Sequence, residues 1–361
     1  MSIQNTNEKN LFGFYIHWPY CIHKCPYCDF ASSVCHNIDE ESLLKTYIRD
    51  MTFFPDKRPI TSLFFGGGTP SLMNLSFLEK LINHIQKNYH FAPDIEISLE
   101  ANPDTIDKNK LIGLKKLGIN RLSIGVQSLT TDGLSFLGRT HSLQRAIQCI
   151  DESHQIFDNI NIDLIYARPH QSLKQWESEL QSALQFNLPH YSLYQLTIEE
   201  KTVFAKRGVA GATNTQARRL YKLTDELMNS AHRPAYEVSN YTLKGFECKH
   251  NLTYWLGQDY IGIGPAAHGR LNLTATSNVP SVPAWIKTPP VIETLTTQER
   301  DLEKLLMGLR LRRHPFPLEK LNMDNVQKAL QKGWISINKQ GVLPTLQGTL
   351  MLNQLILLLA E

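Results

Sequence analysis

The stretch FGFYIHWPYCIHKCPYC, residues 12–28, runs from an apolar segment straight into a loop that carries three of the chain's six cysteines. Phe12–Ile16 is rich in aromatic and β-branched residues and reads as a strand. Cys21, Cys25 and Cys28 follow it at a three-then-two spacing. Three thiolates on one tight loop can ligate three corners of an iron–sulfur cubane and leave the fourth iron open. The amino and carboxylate groups of S-adenosylmethionine can chelate such an open iron, and an electron from the cluster can then cleave the sulfonium. Two other readings stay open: a zinc site completed by His17 or His23, and a closed cluster completed by Cys35. The spacing, and its place at the end of a strand, favour the open cubane.

Outward from this loop the same texture repeats. Strand-like runs at Phe12–Ile16, Ser62–Phe65, Ile95–Leu99, Arg121–Ile124, Ile160–Ile165 and Tyr191–Leu196 alternate with helical periodicity near 40–52, 76–88, 106–117, 142–153, 172–186 and 216–231. Six β–α alternations predict an α/β fold with a parallel sheet. Polar and glycine-rich residues cluster after nearly every strand, which favours a partial (β/α)6 barrel over a doubly wound sheet. Pro280, Pro283, Pro289 and Pro290 mark 271–296 as a linker. Beyond it, Leu302, Leu305, Leu306 and Leu309, a helix over Leu318–Lys332, a hairpin at Trp334–Ile337 and Gly341–Leu343, and a last helix from Leu346 suggest a small winged-helix-like α+β module. The predicted domains are a barrel over 1–270 with cluster and cofactor site, the linker, and the module over 297–361.

Composition bounds the partners. A net charge of +3 over 361 residues announces no polyanion. Thr297–Glu361 holds nine Lys/Arg against six Asp/Glu, an excess without a basic stripe, which makes nucleic-acid binding a distant alternative. The polar start MSIQNTNEKN lacks a secretory pattern, and Leu355–Ala360 is too short to span a bilayer. Clustered cysteines suit a reducing compartment, so a cytoplasmic protein is expected.

After the second strand-like run comes GGGTP at 66–70, without the Lys-Ser/Thr of a phosphate loop. Glycines there allow backbone to approach a ligand's amino group, and Tyr27 is an aromatic where cluster loops of this kind stack on adenine, with simple loop packing as the other reading.

With GGGTPS at 66–71, LEANPD at 99–104, LSIGVQS at 122–128, LGRTH at 137–141, NIDLIY at 161–166, YQLTIE at 194–199 and KHNLTYW at 249–255, the chain resembles the radical S-adenosylmethionine superfamily. More narrowly, it resembles the family shared by oxygen-independent coproporphyrinogen dehydrogenases and HemW-type haem chaperones. The resemblance runs from Tyr15 to about Arg270 and continues more weakly through the C-terminal module. It implies a 4Fe–4S cluster on Cys21, Cys25 and Cys28, and S-adenosylmethionine held by Tyr15, Tyr27, Gly67, Gly68, Thr69 and Glu100. Gln127, Arg139 and Asp163 match positions that hold a second S-adenosylmethionine in the dehydrogenases. Read without the motifs, Glu100 is a solvated strand-end charge, Arg139 a surface ion pair and Asp163 a cap.

Two features separate the subfamilies. The dehydrogenases carry a further cysteine two residues beyond the third, where this chain has Phe30. His250, Asn251, Tyr254 and Trp255 match the HNxxYW signature of the chaperones, implying a haem site; read blandly, His250 is a satisfied loop histidine and Trp255 is core. The Cys248-Lys-His250 spacing leaves thiolate ligation open, while c-type attachment is not indicated. The implied function is a haem chaperone that lacks coproporphyrinogen oxidase activity and delivers haem to an acceptor protein, with a homodimer among its compatible states. The alternative is the oxidase. Ala167-Arg168-Pro169, where relatives commonly have Gly-Leu-Pro, and Pro265-Ala266-Ala267, replacing a glycine-rich stretch, are departures that bear on the shape of the substrate or haem pocket.

Overall fold

The computed structural model describes residues 10–360; residues 1–9, on which the absence of a leader was partly read, lie outside the described residues. The parallel strands are β1 (Phe12–Trp18), β2 (Ile60–Gly67), β3 (Phe91–Ala101), β4 (Arg121–Gln127), β5 (Asn159–Tyr166) and β6 (His190–Gln195). They lie side by side in chain order, and each pairs in parallel with the next. A doubly wound sheet reverses its order at a switch point. Nothing reverses between β1 and β6, which is the barrel-type arrangement. Antiparallel β7 (Asn240–Thr242) flanks β6, while β8 (Asp259–Ile263) runs parallel to β1 on the other side.

Strand composition explains the curl. Along β4, Leu122, Ile124 and Val126 belong to the apolar core, while Arg121, Ser123, Gly125 and Gln127 line a cavity. Along β5, Ile160, Ile162 and Leu164 join the core, and Asn161, Asp163 and Ile165 line the cavity. Side chains alternate between the faces of a strand, so one face packs under helices and the other surrounds a polar interior. The covering helices are α1 (Glu40–Met51), α2 (Leu75–Asn88), α3 (Lys108–Lys116), α4 (Thr131–Phe136), α5 (Leu143–His154), α6 (Leu173–Leu184) and α7 (Asn214–Ser230). In α2, Phe77, Leu78, Leu81, Ile82 and Ile85 make one buried stripe, each worth about 1.5–3 kcal/mol of apolar burial. A capping box at Ser172 and Gln175 starts α6.

The HNLTYW segment forms α8 (Lys249–Trp255), which packs against β1, β2 and β8. It meets β1 near that strand's start, where a Cβ on Gly13 would come within 3.3 Å of His250 and 3.2 Å of Thr253. The helix thus lies toward the end of the barrel opposite the cysteine loop.

The stretch 271–296 differs from the expected linker. It carries β10 (Thr274–Ser277) and β11 (Val291–Thr294), which extend the sheet beyond β9 (His268–Leu271). Its Trp285 is fully buried, donates to Asp50 Oδ2 at 2.6 Å and packs on Tyr47. The prolines fall between these strands.

The C-terminal module contains α9 (Thr297–Gly308), α10 (Met323–Gln331), a β12 (Ile335–Asn338)–β13 (Gly341–Pro344) hairpin, α11 (Leu346–Leu350) and α12 (Leu352–Ala360). It has an apolar cluster of its own, built from Leu305, Leu309, Val326, Ile335, Val342 and Leu355 among others. The expected last helix is broken at Met351.

Candidate cluster and cofactor site

Cys21, Cys25 and Cys28 open onto a cavity of about 400 Å³ at the C-terminal ends of the strands. A tight turn, with Cys28 N–H donating to the Cys25 carbonyl at 3.0 Å, folds the loop. Cys35 faces elsewhere. Its thiol donates to the Asn37 carbonyl, and it lines a different surface hollow. His17, offered above as a zinc ligand, has both ring nitrogens engaged, with Tyr15 Oη at 3.0 Å and the Ala31 carbonyl at 2.9 Å. Of the three candidate fourth ligands, His17 and Cys35 are turned away and His23 lines the cavity with the cysteines. Among the described residues no three of these groups converge on a single metal ion as zinc would need, and three soft donors spread around an open space fit a cubane with one open iron.

Of the residues assigned by resemblance to S-adenosylmethionine, Tyr27, Gly67, Gly68, Thr69, Glu100, Gln127, Arg139 and Asp163 line this same cavity. Tyr15 does not line it. It sits behind the wall, stacked on Phe64 and His250. The glycine run crosses under the cysteine loop so closely that a Cβ on Gly67 would stand 2.7 Å from the Trp18 carbonyl, and one on Gly68 would stand 2.5 Å from that of Tyr20. The N–H groups of Gly67, Gly68 and Thr69 are engaged by Glu100, Trp18 and Tyr20 respectively. What this run can offer a ligand is carbonyl oxygen, which suits an amino group.

Glu100 accepts from Gly67 N–H at 3.1 Å. Burial, and then the Asp163 carboxylate, push its pKa up to about 8. Arg139 ties the cavity to the loop, donating to Cys25 Sγ at 3.3 Å, Asn102 Oδ1 at 2.6 Å and the Gly125 carbonyl at 2.8 Å. Gln127, held at φ 58°, keeps its Oε1 buried without a partner among the described residues. An orphaned acceptor, a close-approach backbone and a buried carboxyl facing one space fit an amino-acid-bearing cofactor. The cysteines would hold the cluster and the cavity wall the S-adenosylmethionine, which together supply one-electron chemistry when bound.

The implied haem segment is split by the fold. His250 is 1% exposed, with Nδ1 at 2.9 Å from Ser62 Oγ and Nε2 at 2.8 Å from Tyr254 Oη. It lies against Phe64, ring centroids 5.0 Å apart, and burial pushes its pKa down to about 3. The expectation of an axial ligand at His250 is therefore corrected: the imidazole is a core group with both nitrogens committed. Tyr254 is its hydrogen-bond partner. Asn251 turns to the cavity, and Trp255 to an apolar groove on the other side. Cys248, noted above as a possible thiolate ligand, also lines the cavity, as do Arg121, Ser123 and Asn161, which were not singled out from sequence. The polar alternation in RLSIGVQ at 121–127 and in NINID at 159–163 was their signal.

Residues 15–183 match the Radical SAM superfamily. A relative called "Heme chaperone HemW" from Buchnera aphidicola subsp. Acyrthosiphon pisum is 41% identical over 264 residues, covering 72% of this chain and 70% of that one. The Bacillus subtilis protein of the same name is 33% identical, over 94% and 97% of the two chains. A solved structure of coproporphyrinogen III oxidase (HemN) from Escherichia coli superimposes with a TM-score of 0.83 across 98% of this chain and 91% of that one; at 17% identity this is a likeness of fold. Barrel, cysteine loop and cavity define a radical S-adenosylmethionine protein. The similarity to curated relatives goes further: the chain belongs to the HemW family.

Proposed function

We propose that this chain is a haem chaperone that binds haem alongside a 4Fe–4S cluster and S-adenosylmethionine, and passes the haem to an acceptor protein in the cytoplasm. The observation that carries this reading is membership of a family whose curated members are called haem chaperones. Phe30 supports it, being 57% exposed at the cavity mouth where the dehydrogenases carry a further cysteine.

Since His250 is committed to the core, haem is best offered the groove lined by Trp255. This groove has a volume of about 540 Å³, with Leu302, Leu305 and Phe316 on its walls, and with Lys304 and a Lys320–Asp301 pair among its charged groups. Aromatic and aliphatic walls suit a porphyrin face, and ammonium groups suit its propionates.

Haem titration of the anaerobically reconstituted protein should give a saturable Soret band. Trp255→Ala should weaken binding several-fold, and His250→Ala should leave the band's position unchanged. A shifted band in His250→Ala would return the ligand to that residue. Decarboxylation of coproporphyrinogen by the same sample, given reductant and S-adenosylmethionine and without saturable haem binding, would replace the reading with the oxidase.

A further inference from the structure

Below the cofactor walls the cavity continues toward the starts of the strands, where it meets Arg121. This residue opens β4, and Gln127 closes it; six residues of strand separate the two levels by about 20 Å. Arg121 is 2% exposed. Its Nη1 donates to Asn159 Oδ1 at 2.8 Å, and its Nε is buried without a partner among the described residues. Glu96 and Asp163 lie near enough to act on its charge. No ion pair closes on it, however, among the described residues: its one hydrogen-bond partner is the neutral Asn159.

A buried guanidinium with donors left over is costly, and here it faces open space. Beside it, Asn251 reaches in from α8, its Nδ2 engaged only loosely by Tyr236 Oη at 3.4 Å. Cys248 lines the same end, and burial holds its thiol neutral by pushing its pKa up to about 12. Asn161 is not available as a donor, since its amide already serves Ser123 and Asp163.

A planar fork of N–H donors with an amide alongside matches a carboxylate, which can take two parallel hydrogen bonds. The two flanking acidic residues make a phosphate dianion a poorer guest than a singly charged carboxylate. We propose that the inner end of the barrel cavity is a binding site for a carboxylate group, taken by Arg121 through a two-point hydrogen bond with the Asn251 amide beside it. The site stands apart from the groove proposed for haem, because it shares no residue with that groove and lies across α8 from it.

Propionate is the probe, titrated into the cluster-loaded protein without haem and followed by saturation-transfer NMR, with inorganic phosphate as competitor. Saturable propionate binding that phosphate does not displace is expected. Arg121→Gln should weaken it about tenfold or more, the scale of a charge-assisted hydrogen bond. Arg121→Lys should retain part of it. Asn251→Asp, which sets a negative charge beside the guanidinium, should abolish it with cluster absorbance retained. If Arg121→Gln fails to fold, Asn251→Asp decides. Absence of saturable binding, displacement by phosphate at equal concentration, or unchanged affinity in Arg121→Gln or Asn251→Asp overturns the site.

Discussion

Replacing Glu100 with glutamine tests whether the carboxyl at the end of β3 is held neutral by its surroundings. Burial is the larger cause and Asp163 the second, and together they outweigh the Gly67 N–H that favours the charged form. In the unfolded chain Glu100 titrates near its ordinary 4.5, and in the folded chain near 8. Between these values the unfolded chain has lost the proton and the folded one keeps it. The folded state then binds more protons, so stability falls as pH rises from about 4.5 to about 8 and is level on either side. At about 1.36 kcal/mol for each pH unit, the whole interval amounts to roughly 5 kcal/mol. Solvent in the half-open cavity screens the group, and about 2–3 kcal/mol is the working magnitude. Glutamine has no proton to lose, so Glu100→Gln lacks this slope. Relative to the parent it should gain about 2–3 kcal/mol between pH 4.5 and 8.5. Urea unfolding of the cluster-free protein, kept reduced, measures the difference at each pH. Parallel stability curves, or a parent that gains on the variant as pH rises, would refute the account of Glu100 as a protonated group.

Serine at Cys21, Cys25 or Cys28 should abolish the roughly four irons per chain of one cubane, while serine at Cys35, Cys149 or Cys248 should leave iron content unchanged; loss on changing Cys35 would mean a closed four-cysteine site. Gly67 has φ 108° with Trp18 and His17 at 2.7 Å from any added Cβ, so Gly67→Val should cost about 2–5 kcal/mol from strain and overpacking together. It should also remove the S-adenosylmethionine-induced change in the reduced cluster's electron paramagnetic resonance, and an unaltered change would reduce the run to a turn. Ala167, at φ 58°, occupies a left-handed position. Its methyl is also fully buried in the core, so Ala167→Gly should leave stability within about 0.5 kcal/mol, relief of strain being offset by lost methyl burial and added chain entropy. A shift in the urea midpoint worth more than about 1 kcal/mol either way would contradict this.

The alternation of strand and helix was legible because each unit satisfies its own local pattern: strands β1 to β6 lie where apolar runs predict them. The edge strands were not, since β10 and β11 are four residues each among prolines, and only pairing with a neighbour makes them strands. Glycine-free turns hid similarly. The two departures at Ala167 and Ala266 both prove to be left-handed residues, φ 58° and 59°, where glycine costs least. The cysteine loop and most cavity residues were legible because they sit beside recognisable strand ends. His250 misled because its partner Ser62 lies 188 residues away in sequence. A motif carries the imidazole but says nothing of what already occupies its nitrogens.

Because α8 turns Asn251 into the cavity while its Trp255 faces a separate groove, one short helix forms part of the walls of two different spaces. A change that shifts this helix along β1 and β2 would therefore be felt in both at once, a mechanical link between the two that needs no ligand passing from one to the other.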